Sequence, residues 1–489
     1  MFEDLKFKKN EPAYLQLKDY IQNMILNGLL PPGVKLPSTR ELSRRTGTSR
    51  NTVILAYQYL EDHSFIHTVR GRGTFVSMVE TGYGDETILN WEELTTNYAG
   101  LASELDIEKK EHRWKQGMLS FKSIAPDPGL FEADEFKKAF LHRFSLEGHK
   151  LLNYGYAQGY KPLIDYLRCY LKNKGAPVDG KDLLVTNGFT EALNIVLTAL
   201  AAPGARIICE NPTHNTAIKI MRLHGLKITG VKMQEDGLNL QELERVLAAG
   251  DAKALFLVPS YHNPTGVVMS PEKRIALLKL LSIYRLPVIE DGFNEELRYS
   301  GSHVAPLVAL AGRGNNVVYT GSFSKILFPG LRIGWVLADQ KLLSSLESIK
   351  RSYNIHTSFL DQAILYEYLS SGRFERYLKN AGRVYKQKHK DAIELAGKYI
   401  PAKKIWGQGG LHIFIELEEK IDARQVLAAC IKKNVLFMPG DIFYTDGGGG
   451  NTFRLGISRV NREDMEKGFK IIGAVITDNL NHRQGKING

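Results

Sequence analysis

The chain has 489 residues, of which 43% are hydrophobic, and a formal net charge of +11. This length exceeds what one typical hydrophobic core supports, so two or three domains are expected. No window approaches the ~18–20 uninterrupted apolar residues of a membrane span, and Glu11 and Pro12 stand where a signal peptide would have its apolar stretch. We therefore expect a cytoplasmic protein with no membrane partner, whose positive charge hints at a polyanionic one.

The three cysteines bear on redox chemistry and metal binding. Cys169, Cys209 and Cys430 lie far apart in apolar surroundings, without the spacing of metal ligands. They are predicted to be buried free thiols in a reducing compartment, and no metal site is expected.

The first 78 residues have the pattern of an independent DNA-binding domain. Apolar residues recur at helical spacing over residues 14–29. Ser38 and Ser49 are predicted N-caps of two further short helices, which a tight glycine-containing turn joins. The segment SFIHTVRGRGTFVS then predicts two short strands around Gly71–Gly73. This is the order of a helix-turn-helix followed by a wing hairpin.

Positive charge is concentrated in the same region. Residues 34–76 carry seven basic side chains against three acidic ones, a net +4. Helix starts with Ser, Thr, Asn and Arg suit phosphate groups, and Arg50 and Asn51 are the side-chain types that pair bidentately with guanine and adenine edges. The alternative is a solvated basic face on an accessory domain, which the joint helix-turn-helix and Gly-Arg-Gly wing disfavour.

The stretch LPSTRELSRRTGTSRNTVILAYQYLEDHSFIHTVRGRGTFV closely resembles the GntR-type winged helix-turn-helix. The resemblance covers almost all of residues 12–77. In that family the DNA contacts fall at the start of each of the two short helices and in the wing. The resemblance thus implies DNA binding by Ser38, Thr39, Arg40, Ser49, Arg50, Asn51, Thr52, Gly71, Arg72 and Gly73.

Two further regions follow this domain. Residues 79–112 are polar and rich in Glu and Lys, and are interpreted as a linker with some local helix. Residues 113–489 alternate helical stretches with short buried runs, which indicates an α/β domain with a mainly parallel sheet. Its strand candidates are DLLVT, ARIICE, KALFLVP, LPVIED and NVVYTGS.

Residues of chemical interest follow these strands, at the edge where open α/β sheets bind ligands. Gly188 precedes a helix whose N-terminus is suited to bind a phosphate, and the Asn263-Pro264 pair would fix the asparagine side chain at the sheet edge. Asp291 follows an apolar run and needs a cationic partner if it is buried. Lys325 and Arg332 follow the last strand. Taken singly, each has an ordinary alternative. The glycine could belong to a normal strand-to-helix connection, the asparagine to a turn and the aspartate to an ion pair, and the lysine could simply be solvated. Together they are the groups that hold pyridoxal 5′-phosphate (PLP), because lysine forms an imine with its aldehyde and a carboxylate keeps its pyridine nitrogen protonated.

From Lys115 to Leu480 the order of motifs resembles the fold-type I aminotransferases: TNGFTEAL, ENPTH, NPTG, VIEDGF, SFSK, PGLRIGW and FRLGIS. The resemblance implies that Lys325 carries the internal aldimine, that Asp291 pairs with the pyridinium, and that Asn263 contacts the ring oxygen. It further implies a ring-stacking role for His214, a carboxylate-binding role for Arg454, and a phosphate site made of Gly188, Phe189, Thr190, Ser322, Ser324 and Arg332.

Two positions carry narrower expectations. Tyr154 resembles a tyrosine that reaches the cofactor phosphate of the neighbouring subunit. Phe293 stands where relatives usually have a tyrosine that bonds the cofactor's phenolic oxygen. This departure puts full catalytic turnover in doubt, but not cofactor binding.

The chain joins a GntR-type DNA-binding domain, here called the reader, to an aminotransferase-like domain. This arrangement is similar end to end to the MocR/GabR family of regulators. That resemblance implies a homodimer on double-stranded DNA with paired half-sites, and an amino compound or PLP sensed through a Schiff base. Two rival interpretations are a true aminotransferase with an accessory DNA-binding module, and a DNA-binding protein whose large domain is a dimerising relic. The intact set of Lys325, Asp291 and Arg332 argues against the relic.

Overall fold

The computed structural model describes residues 11–77, 89–110, 113–292, 295–297 and 304–487, with Phe2, Leu5, Phe7, Lys8 and Tyr299. The chain divides into two compact units, Met1–Thr95 and Thr96–Gly489. None of the described helices is long and apolar enough to cross a membrane.

The N-terminal unit is a helical core with a two-stranded hairpin. Its elements are α1 (Ala13–Leu26), α2 (Thr39–Thr46), α3 (Arg50–Asp62), β1 (Ile66–Val69), β2 (Gly73–Val76) and α4 (Trp91–Leu94). Buried apolar residues from all three long helices and from both strands form one core. The predicted helix-turn-helix and wing are confirmed.

The helix boundaries in this unit follow from local hydrogen bonds. The Ser38 side chain accepts a hydrogen bond from the Glu41 backbone N–H at 3.3 Å, and Ser49 accepts one from Thr52 at 3.1 Å. Gly47 ends α2 with φ of 64°, a left-handed conformation that costs glycine little. Both N-caps are where the sequence predicted them.

The described part of the C-terminal unit contains a large sheet, a small sheet and one two-stranded pair. Its helices are α5 (Asn97–Glu104), α6 (Ile107–Lys110), α7 (Ala133–Leu151), α8 (Lys161–Asn173), α9 (Phe189–Leu200), α10 (Asn215–Leu223), α11 (Leu240–Ala248), α12 (Pro271–Tyr284), α13 (Leu307–Leu310), α14 (Gln340–Tyr353), α15 (Phe359–Ser370), α16 (Arg373–Tyr399), α17 (Ala423–Lys432) and α18 (Arg462–Ile487). Its strands are β3 (Leu119–Ser120), β4 (Lys181–Thr186), β5 (Arg206–Asn211), β6 (Lys227–Gln234), β7 (Gly237–Leu238), β8 (Ala252–Leu257), β9 (Val288–Asp291), β10 (Val317–Ser322), β11 (Gly334–Asp339), β12 (Lys404–Trp406), β13 (His412–Glu416), β14 (Val435–Leu436), β15 (Met438–Pro439) and β16 (Thr452–Gly456).

The large sheet has the strand order β4-β11-β10-β9-β8-β5-β6-β7. All five predicted strands lie in it. Neighbours from β10 through β6 are parallel, whereas β11 runs antiparallel to β4 and β10, and β7 runs antiparallel to β6. The carboxyl ends of β4, β8, β9 and β10 therefore point to one edge of the sheet, which is where ligands bind in such folds.

The small sheet has the order β12-β13-β16-β15 and packs with α16, α17 and α18 around a second core. Its strand β16 carries Arg454.

One prediction about the cysteines is wrong. Cys209 and Cys430 are buried, but Cys169 is exposed. Helix α8 buries Leu163, Ile164, Leu167 and Leu171. Cys169 is two residues beyond Leu167, about 200° around the helix, and so lies on the opposite face.

Candidate cofactor and nucleic-acid sites

A cavity of about 190 Å³ opens at the carboxyl edge of the large sheet. Asp291 ends β9 and pairs in register with Thr320 of β10, so that Ser322 and the following Lys325 lie beside it. The cavity is lined by Phe189, Thr190, His214, Thr216, Asp291, Ser322, Ser324, Lys325, Pro329 and Arg332.

One corner of this cavity is built to hold an anion, and we call it the phosphate corner: Asn187–Thr190, Ser322, Ser324 and Arg332. Gly188 precedes α9 with φ of 78°, and an added Cβ there would lie 3.0 Å from Arg332 Nη2. Arg332 Nη2 donates to the Asn187 carbonyl at 2.8 Å. The guanidinium is thus aimed at the N-terminus of α9, where backbone N–H groups and the helix dipole favour negative charge.

The two serines complete this corner. Ser322 Oγ donates to Ser324 Oγ at 3.1 Å and accepts from the Ser324 backbone N–H at 3.2 Å. Hydroxyl, guanidinium and helix N-terminus together match what a phosphate monoester requires.

Asp291 lies at the base of the cavity beside His214. His214 Nδ1 is 3.9 Å from Asp291 Oδ2. Burial, reinforced by Lys325 and Arg454, lowers the pKa of His214 to about 3, so the imidazole is neutral at physiological pH. Burial and the nearby Glu295 raise the pKa of Asp291 well above its ordinary value. Such a carboxyl group ionises when a cation faces it, and a pyridinium nitrogen is a cation of suitable chemistry.

Lys325 is the nucleophile candidate. Burial, followed by the positive charges of Arg454, Arg459 and Arg332, lowers its pKa to about 8. At neutral pH a far larger fraction of its amine is therefore unprotonated than for a surface lysine.

Arg454 and Asn263 form a hydrogen-bonded pair beside the cavity. Arg454 Nη1 donates to Asn263 Oδ1 at 2.7 Å, and Nη2 donates to the Lys122 carbonyl at 3.2 Å. The guanidinium carbon lies 4.9 Å from the ring centre of Phe443. Burial lowers the pKa of Arg454 to about 9, so it remains cationic at neutral pH. Within the described chain, Asn263 Nδ2 is buried without a hydrogen-bond partner, which leaves a donor for a ligand oxygen.

These features fit PLP on the chain's own geometry. The phosphate corner suits its phosphate, Asp291 its ring nitrogen, the unsatisfied Asn263 amide its phenolic oxygen, and Lys325 its aldehyde. When bound, this cofactor supplies an electrophilic carbon and an electron-withdrawing ring. The protein supplies the amine, the fixed charges and the orientation.

The N-terminal unit presents its polar groups to solvent. Arg40, Arg50, Asn51 and Arg72 are exposed. Arg50 Nε lies 3.5 Å from Thr39 Oγ1, which joins the starts of α2 and α3. The wing turn is closed by a hydrogen bond from the Arg72 N–H to the Val69 carbonyl at 2.9 Å. Helix starts and wing tip thus form exposed basic surfaces of the kind that contact DNA phosphates and base edges.

Two family models match the chain. The model for aminotransferase class I and II matches residues 126–472, and the model for bacterial regulatory proteins of the gntR family matches residues 13–76. The chain belongs to the class I and II aminotransferase family. Its N-terminal part is a GntR-family DNA-binding domain, so the architecture is that of the MocR/GabR regulators. The family match implies PLP as the cofactor of this aminotransferase domain.

The similar proteins include a transcription regulator that matches both domains and aminotransferases that match the large domain. The chain is 26% identical to an uncharacterized HTH-type transcriptional regulator of Bacillus subtilis, YdfD, across 98% of this chain and 99% of YdfD. A crystal structure of LysN from Thermus thermophilus, an alpha-aminoadipate aminotransferase complexed with N-(5′-phosphopyridoxyl)-L-leucine, is 30% identical with a TM-score of 0.73, covering 80% of this chain and 99% of that one. A multiple substrate aminotransferase from Thermococcus profundus is 27% identical with a TM-score of 0.76, covering 81% and 100%.

The structure of the aminotransferase domain places most of the predicted cofactor residues around one cavity. Gly188 lies beside the lining residue Arg332, and Asn263 is hydrogen-bonded to Arg454, whose charge acts on the lining residue Lys325. Tyr154 does not line it: its side chain is 83% exposed and lies edge-on to His356, with ring centres 6.1 Å apart. Its reach toward a neighbouring subunit stays a prediction. Phe293 lies outside the described residues.

Several contributors to the cavity were not predicted. The Asn187 carbonyl orients Arg332, and the Lys122 carbonyl orients Arg454. His262 Nε2 lies 3.2 Å from Glu210 Oε2 in the interior, and so fixes the residue before Asn263. Thr216 could have been suggested by its place at the start of α10, but backbone carbonyls and long-range pairs leave no signal in one sequence.

Proposed function

We propose that the chain is a PLP-dependent transcription regulator that senses an amino compound, or PLP itself, through a Schiff base in its aminotransferase domain. One observation carries the proposal: a GntR-family reader and a complete cofactor cavity occur in a single chain. The similarity to YdfD across both parts supports the same joint use.

The charges in the cavity indicate the chemical class of effector. Lys325 and Arg332 line the cavity together with the carboxyl group of Asp291, and the positive charge of Arg454 acts on Lys325 from beside it. The phosphate corner accounts for Arg332. Arg454 is buried and held in place by Asn263 and Lys122, so its charge is available for a carboxylate beside the Lys325 amine. An amino acid has both matching groups.

Signalling requires that the effector bind one arrangement of the protein better than another. We propose a homodimer in which two readers bind paired half-sites on double-stranded DNA, and in which effector binding changes their spacing or orientation.

A second candidate, a working aminotransferase with an accessory DNA-binding domain, is favoured by one observation. The similar solved structures of this domain are aminotransferases, and the lysine, aspartate and arginine of the cavity are all present. We favour the regulator because a reader surface is present in the same chain, and because Phe293 replaces the tyrosine expected from relatives.

The deciding experiment measures DNA affinity and turnover on one preparation. PLP-loaded protein is titrated with a panel of amino acids while its visible absorbance and its affinity for the DNA upstream of its own gene are followed. If the protein is a regulator, at least one amino compound of the panel changes both the visible absorbance and the DNA affinity. Added keto acid is then converted little or not at all. Sustained turnover without any effect on DNA affinity would instead identify the enzyme.

A further inference from the structure

A buried lysine lies behind the phosphate corner and does not line the cavity. Lys350 of α14 has no solvent exposure. Its Nζ donates to the backbone carbonyls of Ala157 at 2.6 Å and Val185 at 2.7 Å. Burial lowers its pKa to about 8, although Glu191 and Glu347 act in the opposite direction. A buried ammonium whose partners are neutral carbonyls is costly to a fold, so its placement calls for an explanation.

The two carbonyls belong to segments with different surroundings. Val185 lies in β4, two residues before Asn187, whose carbonyl holds Arg332. Ala157 follows a surface segment, residues 152–156, that we call the tyrosine segment. Tyr154 and Tyr156 in it are 83% and 76% exposed. Lys350 is therefore a direct link between the strand that leads into the phosphate corner and the base of the tyrosine segment.

Further contacts make this link stiff. The Val185 N–H donates to the Gln158 carbonyl at 2.8 Å. An added Cβ at Gly159 would lie 2.6 Å from Val185 Cγ2, so the backbone of Gly159 packs against the Val185 side chain as closely as glycine permits. The Gln362 side chain accepts from the Tyr160 N–H at 2.7 Å and donates to the Thr357 carbonyl at 2.9 Å. A displacement at the end of β4 is thus passed on to residues 157–160 instead of being absorbed by a loose loop.

We propose that Lys350 is a positioning residue that couples occupancy of the phosphate corner to the tyrosine segment. This inference rests on the proposed assignment of that corner to the PLP phosphate, and it adds a route by which cofactor state reaches the protein surface. Lys350 itself touches neither the cavity nor solvent.

Hydrogen–deuterium exchange on the unaltered protein tests the coupling first. We expect PLP to slow exchange in residues 185–190 and also in residues 153–160. In Lys350→Met, which keeps the length of the side chain but removes both hydrogen bonds, protection should remain at 185–190 and be lost at 153–160. Lys341→Met, an exposed lysine on the same helix, should behave as the parent. A lysine with only a structural role would lower the melting temperature of Lys350→Met and leave the pattern of protection unchanged.

A double-mutant cycle supplies the second measurement. If Lys350 acts through residues 157–160, Lys350→Met and Gln362→Leu, which removes the acceptor of the Tyr160 N–H, should each weaken PLP binding about tenfold, and the pair should weaken it no more than either alone. A parent that forms no chromophore with PLP would refute the proposed function itself. A parent that binds PLP, with protection confined to 185–190 or with additive mutations, would refute the coupling and leave the proposed function standing.

Discussion

The two regions of this protein place their functional residues in opposite environments. In the GntR-family domain, Arg40, Arg50, Asn51 and Arg72 are exposed. In the aminotransferase domain, Asp291 and Arg454 are buried, and burial is the main cause of their shifted pKa values. A DNA surface works by presenting ordinary charges to a large partner, whereas a small-molecule cavity works by changing the chemistry of a few groups.

This difference predicts how each region responds to substitution. Changes on the exposed surface should alter DNA affinity in increments and leave folding intact. Changes in the cavity should remove a chemical property outright or shift its pH dependence. The following experiments test that contrast, beginning with the largest effect.

The largest effect is expected at Lys325. Lys325→Ala removes the amine that the cavity keeps partly unprotonated, so the aldimine absorbance band and the borohydride-fixed label should both be abolished. Lys341→Ala, an exposed lysine, should retain both. Peptide mapping that finds the label elsewhere, or an unchanged chromophore in Lys325→Ala, would show that the nucleophile has been misassigned.

The next largest effect is expected at Arg454. Loss of a charge-assisted pair in a buried pocket costs about 1.5–3 kcal/mol, or roughly ten- to hundredfold in affinity. Arg454→Ala should therefore weaken the response to an amino acid effector by that factor, with cofactor absorbance and effector-free DNA binding close to the parent. Arg462→Ala removes an exposed arginine nearby in the sequence and serves as the control. An equal response in Arg454→Ala and the parent would point to an effector without a carboxylate.

Substitutions on the DNA surface should have smaller and more selective effects. A good bidentate base contact contributes about 1–3 kcal/mol of discrimination, so Arg50→Ala or Asn51→Ala should relax base preference at one operator position. Arg40→Ala or Arg72→Ala should weaken binding evenly across sequences and reduce its salt dependence, because phosphate contacts position without specifying. Competition with operator variants separates the two classes. An even loss in all four variants would show that α3 does not read bases.

The parts of the molecule that sequence could predict are those with local causes. The two N-caps and the wing depend on residues within a few positions of each other, and the five central strands stand out as apolar runs. Most of the cavity residues were also predictable, because they lie at or shortly after the carboxyl ends of strands of the sheet. The exposure of Cys169 also has a local cause, because the helical periodicity of α8 puts it opposite the buried leucines, whereas the apolar residues around it in the sequence do not indicate its face.

The unpredicted parts depend on contacts between distant segments. Antiparallel β11 is inserted between β4 and β10, far from β4 in sequence, and the Asn187 carbonyl meets Arg332 only in the folded domain. Lys350 is one lysine among many in the sequence. Only its burial and its two carbonyl partners distinguish it.

The smallest effect concerns the pH dependence of PLP capture, and it compares the buried cavity with the exposed DNA surface most directly. The Lys325 amine reacts with an aldehyde only when unprotonated, and its pKa is lowered to about 8. The rate at which cofactor-free protein captures PLP should thus rise with pH and level off above a midpoint near 8, some two units below an ordinary lysine. Arg454→Gln removes one of the positive charges that disfavour the ammonium form, so its midpoint should move upward. Burial, the larger cause of the lowered pKa, remains, so the midpoint should stay below that of an ordinary lysine.

Stopped-flow absorbance between pH 6 and pH 10 measures both midpoints. A substitution of an exposed reader residue, Arg72→Gln, should leave the midpoint where it is in the parent. If Arg454→Gln also leaves it there, the arginine lies too far from Lys325 to act on it, and its role as a carboxylate partner beside that amine would be lost with it.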